Sequence, residues 1–394
     1  KLYFMSNKMD RRKLLKTGLL MAGGLSAAPA LLNKLAARPV NTCYGPYEFA
    51  SDKSVILGAP VELKARLFAN ENPFGPSSKA KQAIDEALAQ SYQYPFIFAK
   101  DLFQKIADFE GMKTENLMMG AGSSPLLMAA AINFSQKPGS NIVTGDPTYE
   151  DLPHKATLLN TQWKKIPLTS EYKLDLDAME KAIDGNTSMV YVCNPNNPTA
   201  TVLDIDKLKA FVDRVSTRVT VFIDEAYIDY LDDPKAHTMM SAVKTGKNVI
   251  IARTFSKLYG FAGLRVGYVF AQPDMIKKLS LYTEGPNSLS TTSLHAAMAG
   301  YQDQDYMKEA LQKTFASKNF LYETLKKEGY DFVPSYTNFV IFPLKMDSLK
   351  FVDEMSKRGV GVRSWQFNNK EWCRISIGRM DEMEAFAAAF KEIS

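Results

Sequence analysis

Val219-Thr220-Val221-Phe222-Ile223-Asp224-Glu225-Ala226-Tyr227 runs from a β-rich stretch straight into a carboxylate, with no alternation of polar and apolar positions. A strand that is apolar throughout is buried on both faces, which is the condition of a parallel sheet covered by helices. Similar runs recur at 141–144 (Asn-Ile-Val-Thr), 189–193 (Met-Val-Tyr-Val-Cys) and 248–252 (Asn-Val-Ile-Ile-Ala). Helix-like segments separate them at 125–134, 174–183 and 205–215. The alternation predicts an α/β fold: a large domain with a mostly parallel central sheet flanked by helices. Beyond it the pattern changes. Residues 291–329 read as one long helix, 336–344 and 372–378 as strands, and 348–358 and 380–393 as helices, which together predict a smaller α+β domain. The expected organisation is an N-terminal arm and part of the small domain at 39–79, the large domain at 80–288 and the small domain at 289–394.

The chain has 394 residues, 46% hydrophobic and 23% charged, which excludes disordered, collagen-like and disulfide-scaffold proteins. Three dispersed cysteines and three histidines give no metal-ligand spacing, so no metal site is expected. The formal charge of +5 is misleading. Eight positive charges and one negative fall within residues 1–38, leaving −2 on the remainder, so nucleic-acid binding is not expected. Asp10-Arg11-Arg12-Lys13-Leu14-Leu15-Lys16, followed by an apolar Gly/Ala-rich stretch over 17–32, resembles a twin-arginine export signal. The apolar run is shorter than the roughly 20 residues of a membrane span, so contact with a membrane is expected only during export to the periplasm.

Four motifs follow predicted strands, where open α/β sheets build their sites. Asn194-Pro195-Asn196-Asn197-Pro198-Thr199 cannot continue a strand and forms a turn holding amide side chains outside the sheet. Asp224 leaves its strand partly desolvated and needs a cation, although by itself it reads equally as a helix N-cap. Thr254-Phe255-Ser256-Lys257 places two hydroxyls beside a lysine, which becomes a nucleophile if burial lowers its pKa and is otherwise a surface lysine. Arg265, between Gly263 and Gly267, approaches an oxyanion with a bidentate fork. A fifth element, Gly120-Ala121-Gly122-Ser123-Ser124, opens a helix with small residues and backbone N–H groups suited to an anion. A phosphate cup, a lysine, a carboxylate and an Asn/Tyr pair are the fittings that pyridoxal 5'-phosphate requires.

The chain resembles, from about residue 67 to its C-terminus, the class I/II pyridoxal-phosphate aminotransferases of fold type I, and among them the histidinol-phosphate aminotransferase branch. The resemblance is carried by Asn70-Glu71-Asn72-Pro73-Phe74-Gly75-Pro76, Tyr94-Pro95, Pro147-Thr148-Tyr149 and the motifs above. It implies that Lys257 is the Schiff-base lysine and Asp224 the partner of the pyridine nitrogen. It implies that Asn197 and Tyr227 contact the phenolic oxygen and that Tyr149 stacks on the ring. Ala121, Gly122, Ser123, Thr254, Ser256 and Arg265 would cradle the phosphate, with Tyr94 reaching the phosphate of a neighbouring subunit in a homodimer. Arg374, in Cys373-Arg374-Ile375-Ser376, would grip the substrate carboxylate or phosphate, and Asn72 would also serve the substrate. The partners implied are an amino donor and a 2-oxo acid acceptor.

Two departures stand out. Ala200 occupies a place where the family usually has glycine, and a left-handed backbone there would cost alanine about 1 kcal/mol. A family arginine for the phosphorylated substrate falls on Lys318, which lacks the bidentate fork. These features and the export signal favour an exported aminotransferase of unassigned preference. Histidinol-phosphate aminotransferase proper, or a decarboxylase of the threonine-phosphate type, is the alternative.

Overall fold

The computed structural model describes residues 63–394. The export signal expected over 1–38 lies outside the described residues. After a short strand β1 (Ala65–Arg66) come the seven strands of the central sheet. They are β2 (Leu117–Gly120), β3 (Asn141–Asp146), β4 (Gln162–Pro167), β5 (Thr187–Cys193), β6 (Thr220–Asp224), β7 (Val249–Thr254) and β8 (Gly267–Phe270). Their spatial order is β2-β8-β7-β6-β5-β3-β4. β4, β3, β5, β6 and β7 are mutually parallel, and β8 runs against both β7 and β2.

Burial on both faces explains the apolar runs. Val190, Val192, Val221 and Ile223 enter a core on one side of the sheet, while Met189, Tyr191 and Phe222 enter a core on the other. The strands that escape sequence reading have weaker signals: β4 is a sheet edge carrying Lys164 and Lys165, and β2 and β8 are four residues each with a glycine at one end. The helix Ile205–Val215 falls where the pattern predicts it. Leu208, Phe211, Val212 and Val215 form its buried stripe, and Asp204 caps it by accepting from the Lys207 N–H. The helix expected over 174–183 is shorter, Leu176–Lys181, because Asp175 turns its carboxylate to the Ala178 N–H and starts the helix there.

The long helix expected over 291–329 is two helices, Thr291–Gly300 and Gln304–Lys327. Between them Gln302 takes a left-handed conformation (φ +61°), which ends the helical path. The first helix buries Leu294, Ala296 and Ala297 in the central core, and Gly300 lets it approach Phe261. The second carries Leu321 and Leu325 into a separate core. The two helices therefore feed different cores. The smaller unit contains β9 (Phe339–Pro343), β10 (Val360–Gly361), β11 (Arg363–Phe367) and β12 (Lys370–Ser376). β11-β12-β9 is an antiparallel sheet, and β1 pairs with β10, so Ala65–Arg66 joins this unit. Val340, Phe342, Cys373 and Ile375 face its core. The alternate residues Ile341, Trp372 and Arg374 face the other way, where Trp372 meets Tyr172 edge-on at 5.1 Å.

Candidate active site

Strands β2, β3, β5, β6 and β7 share one direction, so the segments that follow them emerge at one edge of the sheet. After β5, the Asn194–Pro198 turn divides its labour. Asn194 Oδ1 accepts from the Leu203 N–H, and Asn196 bonds Thr199 and Thr148, so these two build the loop. Asn197 faces outward instead, and its Oδ1 accepts from Arg374 Nη1 at 2.9 Å. Ala200, fully buried, has φ +60°, the left-handed conformation that glycine would adopt freely.

Asp224 ends β6 almost fully buried. Its carboxylate accepts from the Tyr191 hydroxyl (2.9 Å) and the Ala226 N–H (3.1 Å). Burial pushes its pKa up to about 6 against these bonds and the pull of Lys257, so a further cation is what would hold it ionised. Lys257 donates to the Asn70 carbonyl at 3.1 Å. Burial, then the Arg374 charge, lowers its pKa to about 8, which makes the amine an available nucleophile and base near neutrality. Tyr227 packs edge-on against Phe339 at 5.2 Å and its hydroxyl accepts from Asn70 Nδ2 at 3.1 Å. Tyr149 is half-buried beside Asp224, Tyr227 and Cys193, and its desolvation raises its pKa.

The anion cup closes between β2, β7 and β8. Arg265 Nη1 donates to Ser256 Oγ at 3.2 Å, and Thr254 Oγ1 donates to Ser256 Oγ at 2.9 Å. The guanidinium lies against Gly122, where a Cβ would overlap it. A Cβ on Gly267 would stand 2.5 Å from the Gly122 carbonyl carbon and the Ser123 nitrogen. Ser123 precedes the helix Ser124–Phe134, so helical N–H groups open onto the same place as the Arg265 charge. Residues 64–390 match the family described as aminotransferase class I and II.

The chain belongs to that family. It is 35% identical over 354 residues to the histidinol-phosphate aminotransferase of Moorella thermoacetica, covering 87% of this chain and 91% of that protein. It is 33% identical over 351 residues to the histidinol-phosphate aminotransferase of Halalkalibacterium halodurans, covering 89% and 94%. Among solved structures, the histidinol-phosphate aminotransferase of Sinorhizobium meliloti in complex with pyridoxal-5'-phosphate superposes with a TM-score of 0.78 at 28% identity, covering 84% of this chain and 90% of that one. The protein is thus a pyridoxal-phosphate-dependent aminotransferase of the histidinol-phosphate aminotransferase type. Its residues fit the cofactor: the glycine-lined cup with Arg265 suits a phosphate, and buried Asp224 suits a protonated ring nitrogen.

Several of the expected residues have other partners in the structure. Tyr94 is 78% exposed and stacked on Phe96. The Asn72 amide nitrogen donates to the Leu258 carbonyl and the Tyr306 hydroxyl, and its oxygen accepts from the Phe74 N–H, so its side chain braces the segment. The Ala121 N–H is taken by Ser288 Oγ. Lys318 donates to the carbonyls of Ser335 and Thr337, so it supports a loop and does not stand in for the second arginine. That place beside Arg374 is held by Arg363, its direct cross-strand partner on β11. Arg363, Tyr191 and Asn70 stand beside the candidate residues and were not marked as site residues by sequence reasoning. Arg363 and Tyr191 carry no motif, and only strand register brings them to Arg374 and Asp224.

Proposed function

We propose that this aminotransferase takes its amino group from a donor carrying an anionic group, a phosphorylated amino alcohol or an amino acid, and passes it to a 2-oxo acid. The observation that supports this reading is the paired placement of Arg374 and Arg363 on the face of the small sheet turned toward Lys257 and Asn197. Two guanidiniums on one face suit a phosphate or carboxylate, and Arg374 tied to Asn197 is already oriented for it. Bound at Lys257, pyridoxal phosphate supplies an electron sink for the charge left at the substrate's α-carbon. Lys257 Nζ, with its lowered pKa, removes the α-proton as general base. Asp224 balances a positive charge at the end of β6, and Arg374 fixes the donor's orientation. The cup of Gly122, Ser256 and Arg265 anchors the phosphate.

The test is a half-reaction with the cofactor-loaded protein and single donors, including histidinol phosphate and phosphothreonine. Conversion of the cofactor to its amine form with a matching carbonyl product supports the reading and names the donor. Release of an amine from phosphothreonine would favour the decarboxylase alternative. Lys257→Ala should abolish both turnover and the visible band.

A second copy of the chain is the partner this reading needs. Leu88, Tyr92, Tyr94, Phe96 and Ile97 are each more than half exposed within ten residues, an apolar surface suited to burial against another subunit. Light scattering should give a dimer mass; a monomer active at the same concentration would refute it. Export rests on the Arg11-Arg12 motif, and the test is whether Arg11→Lys/Arg12→Lys retains the protein in the cytoplasm.

A further inference from the structure

Asn70 spends every polar atom it has on the site. Its N–H donates to Ser376 Oγ at 2.7 Å, and its Oδ1 accepts from the same hydroxyl at 2.9 Å. Its Nδ2 donates to the Tyr227 hydroxyl at 3.1 Å. Its carbonyl accepts from Lys257 Nζ and from Asn338 Nδ2, each at 3.1 Å. The residue is 2% exposed and holds φ +53°, a conformation asparagine tolerates better than most residues and one that points carbonyl and side chain at different partners. Two residues earlier, the Phe68 carbonyl accepts from Arg374 Nη2 at 2.9 Å. The segment Phe68–Asn70 thus holds the substrate-gripping strand at one end and two cofactor-facing groups at the other.

We propose that Asn70 is a positioning residue that links the substrate-binding strand β12 to the reacting groups, aiming the Tyr227 hydroxyl through its amide and holding the freed Lys257 amine through its carbonyl. A phenol has one hydrogen to give. Because Tyr227 Oη accepts from Asn70, its own hydrogen stays available for the cofactor's phenolic oxygen, and the amide's donation polarises it into a stronger donor. The inference rests on the aminotransferase reading of Lys257 and Tyr227 and adds a group that acts through them.

The experiment is a pH titration of the visible band of the cofactor-loaded protein without substrate, on wild type, Asn70→Gly, Tyr227→Phe and the double variant. Glycine keeps the positive φ and the carbonyl and removes only the amide, so folding is preserved, and a melting curve verifies it. Weaker donation to the phenolic oxygen leaves more negative charge beside the lysine-linked nitrogen, which then keeps its proton to higher pH. Asn70→Gly should therefore move the titration up by about 0.5 pH unit or more. In the Tyr227→Phe background the same change should add nothing, since its route is gone. A wild-type titration in Asn70→Gly, or an equal shift in both backgrounds, overturns the proposal. A wild-type protein with no visible band overturns the cofactor assignment beneath it.

Discussion

Replacing Lys257 by methionine should stabilise the cofactor-free protein at pH 7 and leave it unchanged at pH 10. The lysine pKa falls from 10.5 to about 8 because burial, reinforced by Arg374, disfavours the charged amine. Between those values the folded state binds fewer protons than the unfolded state, so the stability of the wild type rises with pH across that window. Below pH 8 both states are charged and the full penalty is present: about 3 kcal/mol at pH 7, falling to about 1 kcal/mol at pH 10. Methionine carries no charge and fills similar space, but it gives up the bond to the Asn70 carbonyl, worth about 1 kcal/mol. The net gain is about 2 kcal/mol at pH 7 and close to zero at pH 10. With an unfolding entropy of about 2 cal/mol/K per residue over a unit of this size, that is a rise in Tm of about 3 °C at pH 7. Thermal melts of both apoproteins at the two pH values decide it. An equal Tm difference at both would show that Lys257 carries no buried-charge penalty, and the account of its reactivity would fall with it.

Three further outcomes are expected. Gly122→Ala drives a methyl into the Arg265 guanidinium at a backbone with φ +82°, so cofactor affinity measured by fluorescence should fall at least about tenfold; unchanged affinity would mean that the cup is elsewhere. Ala200→Gly removes about 1 kcal/mol of left-handed strain and about 0.8 kcal/mol of methyl burial, so its Tm should stay within about 1 °C of wild type, and a large loss would show the methyl to be structural. Arg253 bridges Glu225 and Glu110 in the core behind Asp224; Arg253→Met leaves two buried carboxylates without their cation and should cost about 3–5 kcal/mol in denaturant unfolding, whereas a near-neutral result would make the network dispensable.

The α/β class and the four strands whose residues are apolar on both faces were legible in the residues alone, and so was the choice of Asp224, Lys257, Asn197 and Arg265 as candidates, because each of these follows a buried strand or belongs to a local motif. Local chemistry also marked Ala200 as the strained position, and φ +60° bears that out. Tertiary structure decided the rest. The break at Gln302 depends on the first helix packing against Phe261 while the second joins another core, and no periodicity records which core a helix will choose. Asn72 and Lys318 fall at substrate-linked positions of the family in sequence, yet their side chains bond backbone carbonyls and, for Asn72, the Tyr306 hydroxyl, partners that only the fold supplies. Arg363 meets Arg374, Tyr191 meets Asp224, and Asn70 meets Tyr227 from 157 residues away. Strand register and chain crossing set those encounters, and because they are relations between distant segments, no single stretch of residues carries them.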